Sequence, residues 1–336
     1  MTDDLHELKS RRGIYRVPHL MRWRDRQAWP EQAAIPLVGP ETKIAAIGSC
    51  FAERITEYLE ARGLPTTFHP AGLQYNTFAI RQEFEHLFGT SGYSDDDVVL
   101  GDDGVHEHLF RKAFRSTESK ETVLQMAADG DAIARTAYTE ADVIVITLGL
   151  TEIWQRDSDG LVAVELPPAP AHRAGGWTFR SCTVAENIAN LERTYELLKA
   201  NTSAEILITV SPVPLGATFR DQDIIVANCE SKSRLRAALA DFLIAHPDVY
   251  TFHSYELVAQ WQGRGTFFED DGRHVNPQGV AFIMNEFLRM YGRDGMKAEF
   301  VPFGSVEMPD QTIEKRFSRL KSKVATKVRR MKGLEG

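Results

Sequence analysis

Four apolar runs of strand length limit what this chain can fold into: "TKIAAIG" (42–48), "ADVIVITLG" (141–149), "AEILITVSP" (204–212) and "DVYTFHSYEL" (248–257). They are rich in Ile and Val, and the first three lack a clean apolar/polar alternation. Strands of that kind are buried on both faces, as in a parallel sheet. Helical patterns cover 50–62, 184–200, 228–245 and 277–291. Strand and helix alternate, which predicts an α/β fold with a doubly wound sheet. A further strand is expected in "LPTTFHP" (64–70). Gly63, with Pro65 beyond it, is placed to end the first helix, and Asn276 and Pro277 form the N-cap and first position of the last one, which Gly292 can close.

Two segments interrupt the alternation. Residues 95–114 read as a hairpin turning at Asp-Asp-Gly, and residues 152–182 as a second hairpin, turning at Asp-Ser-Asp-Gly, followed by a Pro-rich loop. The second follows directly on the strand ending at Gly149. Ligands of open α/β sheets bind outside the carboxyl ends of the strands, so an insertion there reads as a lid or specificity element. The expected organisation is an N-terminal extension (1–40), one elaborated domain (41–308) and a C-terminal tail (309–336).

With 43% hydrophobic and 26% charged residues, the 336-residue chain can bury a large core. Its N-terminus has no uninterrupted apolar run, and nothing approaches the roughly 18 apolar residues of a membrane span. Three widely spaced cysteines, Cys50, Cys182 and Cys229, form neither a disulfide framework nor a metal-ligand spacing. Together these predict a cytoplasmic protein. The net charge of −8 is uneven: residues 311–336 hold nine Lys/Arg against Glu314 and Glu335, so the tail is about +7 and the body about −15. An acidic body argues against specific nucleic-acid binding. In the tail Ile313, Phe317, Leu320, Val324, Val328 and Met331 recur at steps of three and four among basic residues, which predicts a basic amphipathic helix. Such a helix docks on the acidic body or a second subunit, lies on the anionic inner membrane surface, or meets a polyanion as an arm.

The chemistry centres on "IGSCFAE" (47–53), a strand-to-helix turn that carries Ser49 and Cys50 side by side. A side chain there sits at the positive end of the helix dipole beside N–H groups without intrahelical partners. That setting lowers a thiol pKa and supplies an oxyanion hole. Equally, Ser49 fits a plain helix cap and Cys50 a small buried residue. In "EDDGRHVNPQG" (269–279), Asp271 and His274 stand three apart before a capped helix, where the carboxylate can orient the imidazole as a general base. In "ITLGLTE" (146–152) a strand ends at Gly149, a candidate oxyanion donor like the Cys50 amide, with Thr151 and Glu152 after it as candidate oxyanion or substrate contacts. In "HPAGLQYNTFAI" (69–80), Gly72 and Asn76 precede a helix and can offer an N–H and a carboxamide to an oxyanion, although Gly72 and Gly149 also fit ordinary turn glycines.

The order of these pieces resembles the SGNH (GDSL-like) hydrolase superfamily, and their wording resembles the GSCFA family, named for a motif that stands here as Gly48-Ser49-Cys50-Phe51-Ala52. The resemblance extends to "LGLTE" (148–152), "TVSPVPL" (209–215), "NCESKSRLR" (228–236), "SYEL" (254–257) and "DGRHVNPQG" (271–279), and so spans about residues 44–290. It implies a three-layer α/β/α sandwich with a central parallel sheet, carrying the hairpin insertions noted above. It also implies Cys50 as nucleophile in the place of the superfamily's serine, His274 as base, Asp271 as its orienter and Gly72 as an oxyanion donor. Ser49 falls where the superfamily has Asp. Thr151 stands where the superfamily's third block has an oxyanion-donating Asn, which makes Asn76 a candidate substitute. A Cys-His-Asp triad implies an acyl-group hydrolase or acyltransferase acting on an ester or thioester, with a small-molecule or glycan acyl substrate as in polysaccharide modification. The alternative is a non-catalytic carbohydrate- or partner-binding module on the same fold. No cofactor is expected beyond an acyl donor such as acyl-coenzyme A.

His106-x-His108, near Asp102 and Asp103, lacks a third ligand at a telling spacing, so no metal is expected. Lys232, Arg234 and Arg236 either hold an anionic substrate or cofactor near a helix start or form a helix face with salt bridges. Trp154, Trp177 and Phe179 either stack on substrate or pack under the lid.

Overall fold

The computed structural model describes residues 35–89, 92–259 and 267–299. Strand β1 (Ile44–Gly48) leads into helix α1 (Cys50–Glu60), followed by β2 (Thr66–Phe68) and α2 (Thr77–Leu87). A small antiparallel sheet of β3 (Val98–Leu100), β4 (His106–His108) and β5 (Arg115–Ser116) precedes the long helix α3 (Lys120–Glu140) and strand β6 (Val143–Leu148). A second small sheet is built from β7 (Glu152–Arg156), β8 (Val162–Ala163) and, after the short helix α4 (Ala169–Arg173), β9 (Trp177–Ser181). The chain then continues through α5 (Val184–Asn201), β10 (Glu205–Val210), α6 (Ile224–Ala245), β11 (Tyr250–Phe252), α7 (Ser254–Ala259) and α8 (Pro277–Tyr291).

All four expected apolar runs become strands of one parallel sheet, in the order β11-β10-β6-β1-β2, with "LPTTFHP" supplying the fifth. Helices cover both faces, which gives the three-layer α/β/α sandwich. Alternate residues serve opposite cores. Ile44, Ala46, Val143, Val145 and Leu207 pack with α1, α7 and α8, whereas Ala45, Ile47, Ile144, Ile146, Ile206 and Ile208 pack with α2, α3, α5 and α6. Period-two geometry therefore holds although both faces are apolar, which is why these strands show no polar alternation.

Two helices depart from the sequence reading. Helix α6 begins at Ile224, capped by Asp223, rather than at 228. Helix α3 carried no clear periodic signal because much of its buried face is small: Val123, Ala127, Gly130, Ala134 and Tyr138. The 152–182 insertion is more than a hairpin with a loop, since β9 returns to pair with β7 from Glu152↔Ser181 to Arg156↔Trp177. Likewise a third strand, β5, adds to the 95–114 hairpin. At the other end of the chain, Ile35, Leu37 and Val38 donate to Met290 and Tyr291 carbonyls at the end of α8, and Val38 joins the core. The chain thus enters the domain by residue 35, ahead of the expected boundary at 40. Most of the N-terminal extension and all of the basic tail lie outside the described residues. Among the described residues no helix is long and apolar enough to cross a membrane.

Beneath α2 lies a buried ionic network that no local pattern signalled. Glu83 accepts from His69 Nε2 (2.9 Å), Tyr93 (2.8 Å) and Arg111 Nε (3.2 Å). Arg111 also pairs with Asp131 of α3, and His69 Nδ1 meets Tyr138 at 3.0 Å. These contacts tie α2, α3 and the small β3-β4-β5 sheet to the main fold.

Candidate active site

The first sheet strand delivers Cys50 to the carboxyl edge of the sheet. Gly48 makes the exit turn at φ +133°, where an added Cβ would meet the Thr147 carbonyl oxygen at 2.2 Å, so only glycine fits. Ser49 then caps α1. Its Oγ accepts from the Phe51 N–H (3.3 Å) and bonds Thr147 Oγ1 (2.9 Å), while its own N–H donates to Thr147 Oγ1 (2.8 Å). Ser49 is buried and, although it borders the cavity beside Cys50, its hydroxyl is engaged with the turn and Thr147. Cys50, the first residue of α1, is half-buried. Its N–H has no intrahelical acceptor by position, and no other bond takes it up among the described residues. We expect Ser49→Ala to lower stability by about 1–2 kcal/mol, as loss of a serine cap does, while leaving thiol reactivity at Cys50 intact. Chemical denaturation and iodoacetamide labelling would check the two halves.

Cys50 opens on a cavity of about 340 Å³ formed outside the ends of β1, β6 and β10. Gly149, Ser211, Tyr75 and Arg273 share its floor and sides. One wall is aromatic: Trp154 and Phe179 lie 4.9 Å apart between ring centroids, and Phe219 packs on both at 5.3 and 5.4 Å. Val164, Leu166, Val213 and Leu215 add aliphatic surface. Trp177 packs on Phe110 and does not reach the cavity.

Asp271 and His274 form the expected dyad. His274 Nδ1 meets Asp271 Oδ2 at 2.5 Å, and the N–H groups of Arg273 and His274 both donate to Asp271 Oδ1 at 2.9 Å. The imidazole hydrogen bond, with those backbone donors, holds the Asp271 carboxyl well below the usual carboxylate range. The bond to Asp271 fixes the tautomer with a proton on Nδ1, leaving Nε2 as an acceptor. Arg273 Nη1 occupies that acceptor at 3.2 Å. Arg273, not His274, lines the cavity, and no hydrogen bond joins His274 to Cys50. The guanidinium is well placed: Nε donates to the Pro214 carbonyl (3.2 Å), and it lies so close to Gly216 that a Cβ there would stand 3.1 Å from it. Among the described residues it has no carboxylate partner.

The remaining candidates divide. Gly149 lines the cavity, yet its N–H donates to the Tyr75 carbonyl at 2.8 Å, so it is not free for an oxyanion. Gly72 spends its N–H on the His69 carbonyl at 3.0 Å and does not line the cavity. Asn76 is buried as the N-cap of α2, with Oδ1 accepting from the Ala79 N–H at 2.8 Å. Thr151 turns away, its N–H donating to Ser231 Oγ (2.8 Å) and its hydroxyl bonding Ser181 (3.0 Å). Glu152 lines the cavity, but its Oε1 is already paired with the Arg220 guanidinium and accepts from the Thr218 hydroxyl, each at 2.9 Å. Of the proposed donors, the Cys50 N–H alone is both free and at the cavity.

Two cations, Arg273 and Lys232, also belong at the site. Arg273 lies inside the Asp271–His274 block that drew attention for its ends. Lys232 belongs to the "NCESKSRLR" segment, where Arg234 pairs with Glu230 (2.5 Å) and Arg236 with Glu256, forming a salt-bridged face. Lys232 instead turns inward and bonds the carbonyls of Gly149 and Ser211. The signal was present: Lys232, Leu235, Leu239 and Phe242 stand in a 3-4-3 spacing, which puts a lysine in a core position. Burial pushes the Cys50 thiol up, and Arg273 and then Lys232 pull it back in part. Among the described residues no cluster of His, Cys, Asp or Glu is arranged to hold a metal.

Comparison with known families matches residues 43–287 to the GSCFA family, a span that runs from β1 into α8. The chain belongs to the GSCFA family. Comparison with curated proteins returns no match. In this GSCFA protein the motif of that name is the turn between β1 and α1; its serine and cysteine both border the cavity, and the serine hydroxyl is bonded to Thr147.

Proposed function

We propose that this GSCFA protein is an SGNH-type acyl-group hydrolase or acyltransferase with Cys50 as its nucleophile. The observation that carries this reading is the placement of Cys50. It is a half-buried thiol at a helix N-terminus, on the floor of an apolar cavity, with a free N–H and the Arg273 guanidinium beside it. The aromatic wall suits an acyl group. Sγ attacks the carbonyl carbon of an ester or thioester, and the thiol proton passes to His274 Nε2, which must first exchange its Arg273 contact for the sulfur. The Cys50 N–H and Arg273 then hold the oxyanion. Collapse breaks the bond to the leaving alcohol or thiol, which takes the proton back from His274. The resulting thioester gives its acyl group to water or, in transfer, to a small-molecule or glycan hydroxyl.

A non-catalytic binding module on this fold is the second reading. It is favoured by the spent N–H groups of Gly72 and Gly149 and by the occupied His274 Nε2. Intact-mass screening against activated esters and acyl thioesters separates the two. An acyl adduct that maps to Cys50 supports the enzyme. Ligand binding in the cavity without any adduct supports the module.

A further inference from the structure

Among the described residues that line the cavity, Arg273 is the one cation. Of the two carboxylates there, Glu152 pairs with Arg220 and Glu165 is exposed. Arg273 Nε donates to the Pro214 carbonyl and Nη1 to His274 Nε2, each at 3.2 Å. Among the described residues no hydrogen bond takes up Nη2 and no carboxylate pairs with the group. Gly216 leaves that side uncovered: a Cβ there would stand 3.1 Å from Cζ, Nε and Nη2, and both residues border the cavity. A guanidinium presents its donors as a planar fork that matches a carboxylate or phosphate. The neutral imidazole fills only one prong of it, and an ionised oxygen is the stronger acceptor. The contact with His274 also fixes an order of events. Asp271 holds the imidazole proton on Nδ1, so Nε2 is the nitrogen that can take the thiol proton, and it cannot do so while Arg273 occupies it. The oxyanion cannot draw the guanidinium away, because its charge forms only as that proton leaves Cys50. A neutral ester or thioester carries no charge to do so beforehand. An anion already on the substrate does.

We propose that Arg273 selects acyl substrates that bear a carboxylate or phosphate, and that binding this anion draws the guanidinium off His274 Nε2 and frees the base. The proposal rests on Cys50 and His274 as the reacting pair, but the exchange at Arg273 requires no acyl transfer. No covalent bond changes in it. Arg273 gives up one hydrogen bond to imidazole for a charge-assisted pair, keeps Nε on Pro214, and retains Nη hydrogens for the oxyanion that follows. With no anion bound, the base stays capped.

The test uses the full chain at about pH 8, where carboxylates are ionised and most imidazole is neutral. The p-nitrophenyl monoesters of adipate and suberate are compared with their ω-amides, which lack the charge, and acylation of Cys50 is followed by p-nitrophenol release and adduct mass. A further pair, 4-acetoxy-3-nitrobenzoate and its carboxamide, places the charge on the leaving group instead. In at least one pair the charged ester should acylate Cys50 about tenfold faster at saturation, and Arg273→Met should cut the preference to about twofold or less. A preference seen only in the half-saturating concentration would mean binding without release of the base, and overturns the proposal. So does equal acylation by both members of every pair, or a preference that survives Arg273→Met. The 15N resonance of His274 Nε2 gives a second measurement that needs no acylation. Adipate or inorganic phosphate should move it toward its position in Arg273→Met, where no guanidinium occupies the nitrogen, and adipamide should not. A resonance that neither anion moves overturns the proposal. Should Arg273→Met not fold, the charge preference and the adipate-against-adipamide difference in the wild-type protein still decide. A shift of the resonance with no acyl adduct from any ester would sink the acyl-transfer reading alone. Acylation with neither charge preference nor shift would sink only the role of Arg273.

Discussion

Cys50→Ala should abolish acylation of the protein and reduce turnover of any acyl substrate by roughly three orders of magnitude or more, as removal of a covalent nucleophile does. The residual rate would come from binding and from the Cys50 backbone N–H, which the substitution keeps. Alanine at a first helical position costs little, so the variant should melt within about 2 °C of wild type, and loss of activity would not report loss of fold. Ser49→Ala is the natural contrast. It removes a buried hydroxyl that Thr147 and the Phe51 N–H both use, so it should move stability and spare the adduct. If Ser49→Ala lost the adduct and Cys50→Ala kept it, the assignment within the motif would be reversed.

The largest loss of stability should follow Arg111→Met. Arg111 is almost fully buried, pairs with Glu83 and Asp131, and lies over the rings of Tyr93 and Phe114. Methionine retains much of the packing but leaves the Glu83 carboxylate, which has no exposure, short of its main counter-charge. Breaking a buried pair in this way costs about 3–5 kcal/mol. Burial pushes the Glu83 carboxyl up, but Arg111, followed by His69 and Tyr93, more than offsets it and holds the group well below its ordinary range. A depressed carboxylate contributes stability that is present above its unfolded pKa near 4.3 and is lost as pH falls below that value. Urea denaturation of the two proteins should therefore differ most at neutral pH, and the difference should shrink toward pH 3. A constant difference would mean that Arg111 acts through packing alone.

Much of the fold was legible because strand burial on both faces leaves a local mark. Runs such as "ADVIVITLG" need no partner to be recognised, and each of the four became a sheet strand. Helix caps are equally local: Ser49 and Asn276 cap by side-chain bonds within three residues, and Asn76, read from the sequence as an oxyanion donor, is a cap of the same kind. Helix α3 escaped notice because a buried face of alanine and glycine carries little hydrophobic contrast. The Glu83 network escaped for another reason. Its members come from 69, 83, 93, 111, 131 and 138, and polar residues scattered at those positions read as surface until the fold brings them together.

The candidate site divides along the same line. The sequence by itself determined that Cys50 starts a helix after a buried strand and that Asp271 and His274 lie within hydrogen-bond reach, since both follow from contacts three residues apart or fewer. Tertiary structure alone decided which donors remain free. The N–H of Gly149 is taken by Tyr75, 74 residues earlier in the numbering, and that of Thr151 by Ser231, 80 residues later. It also decided that Ser49 faces Thr147 across the sheet, that Arg273 rather than His274 borders the cavity, and that Lys232 is buried beneath the floor. Each of these depends on which strands lie side by side and in what register, because a hydrogen-bonding group is satisfied by whatever the sheet places next to it.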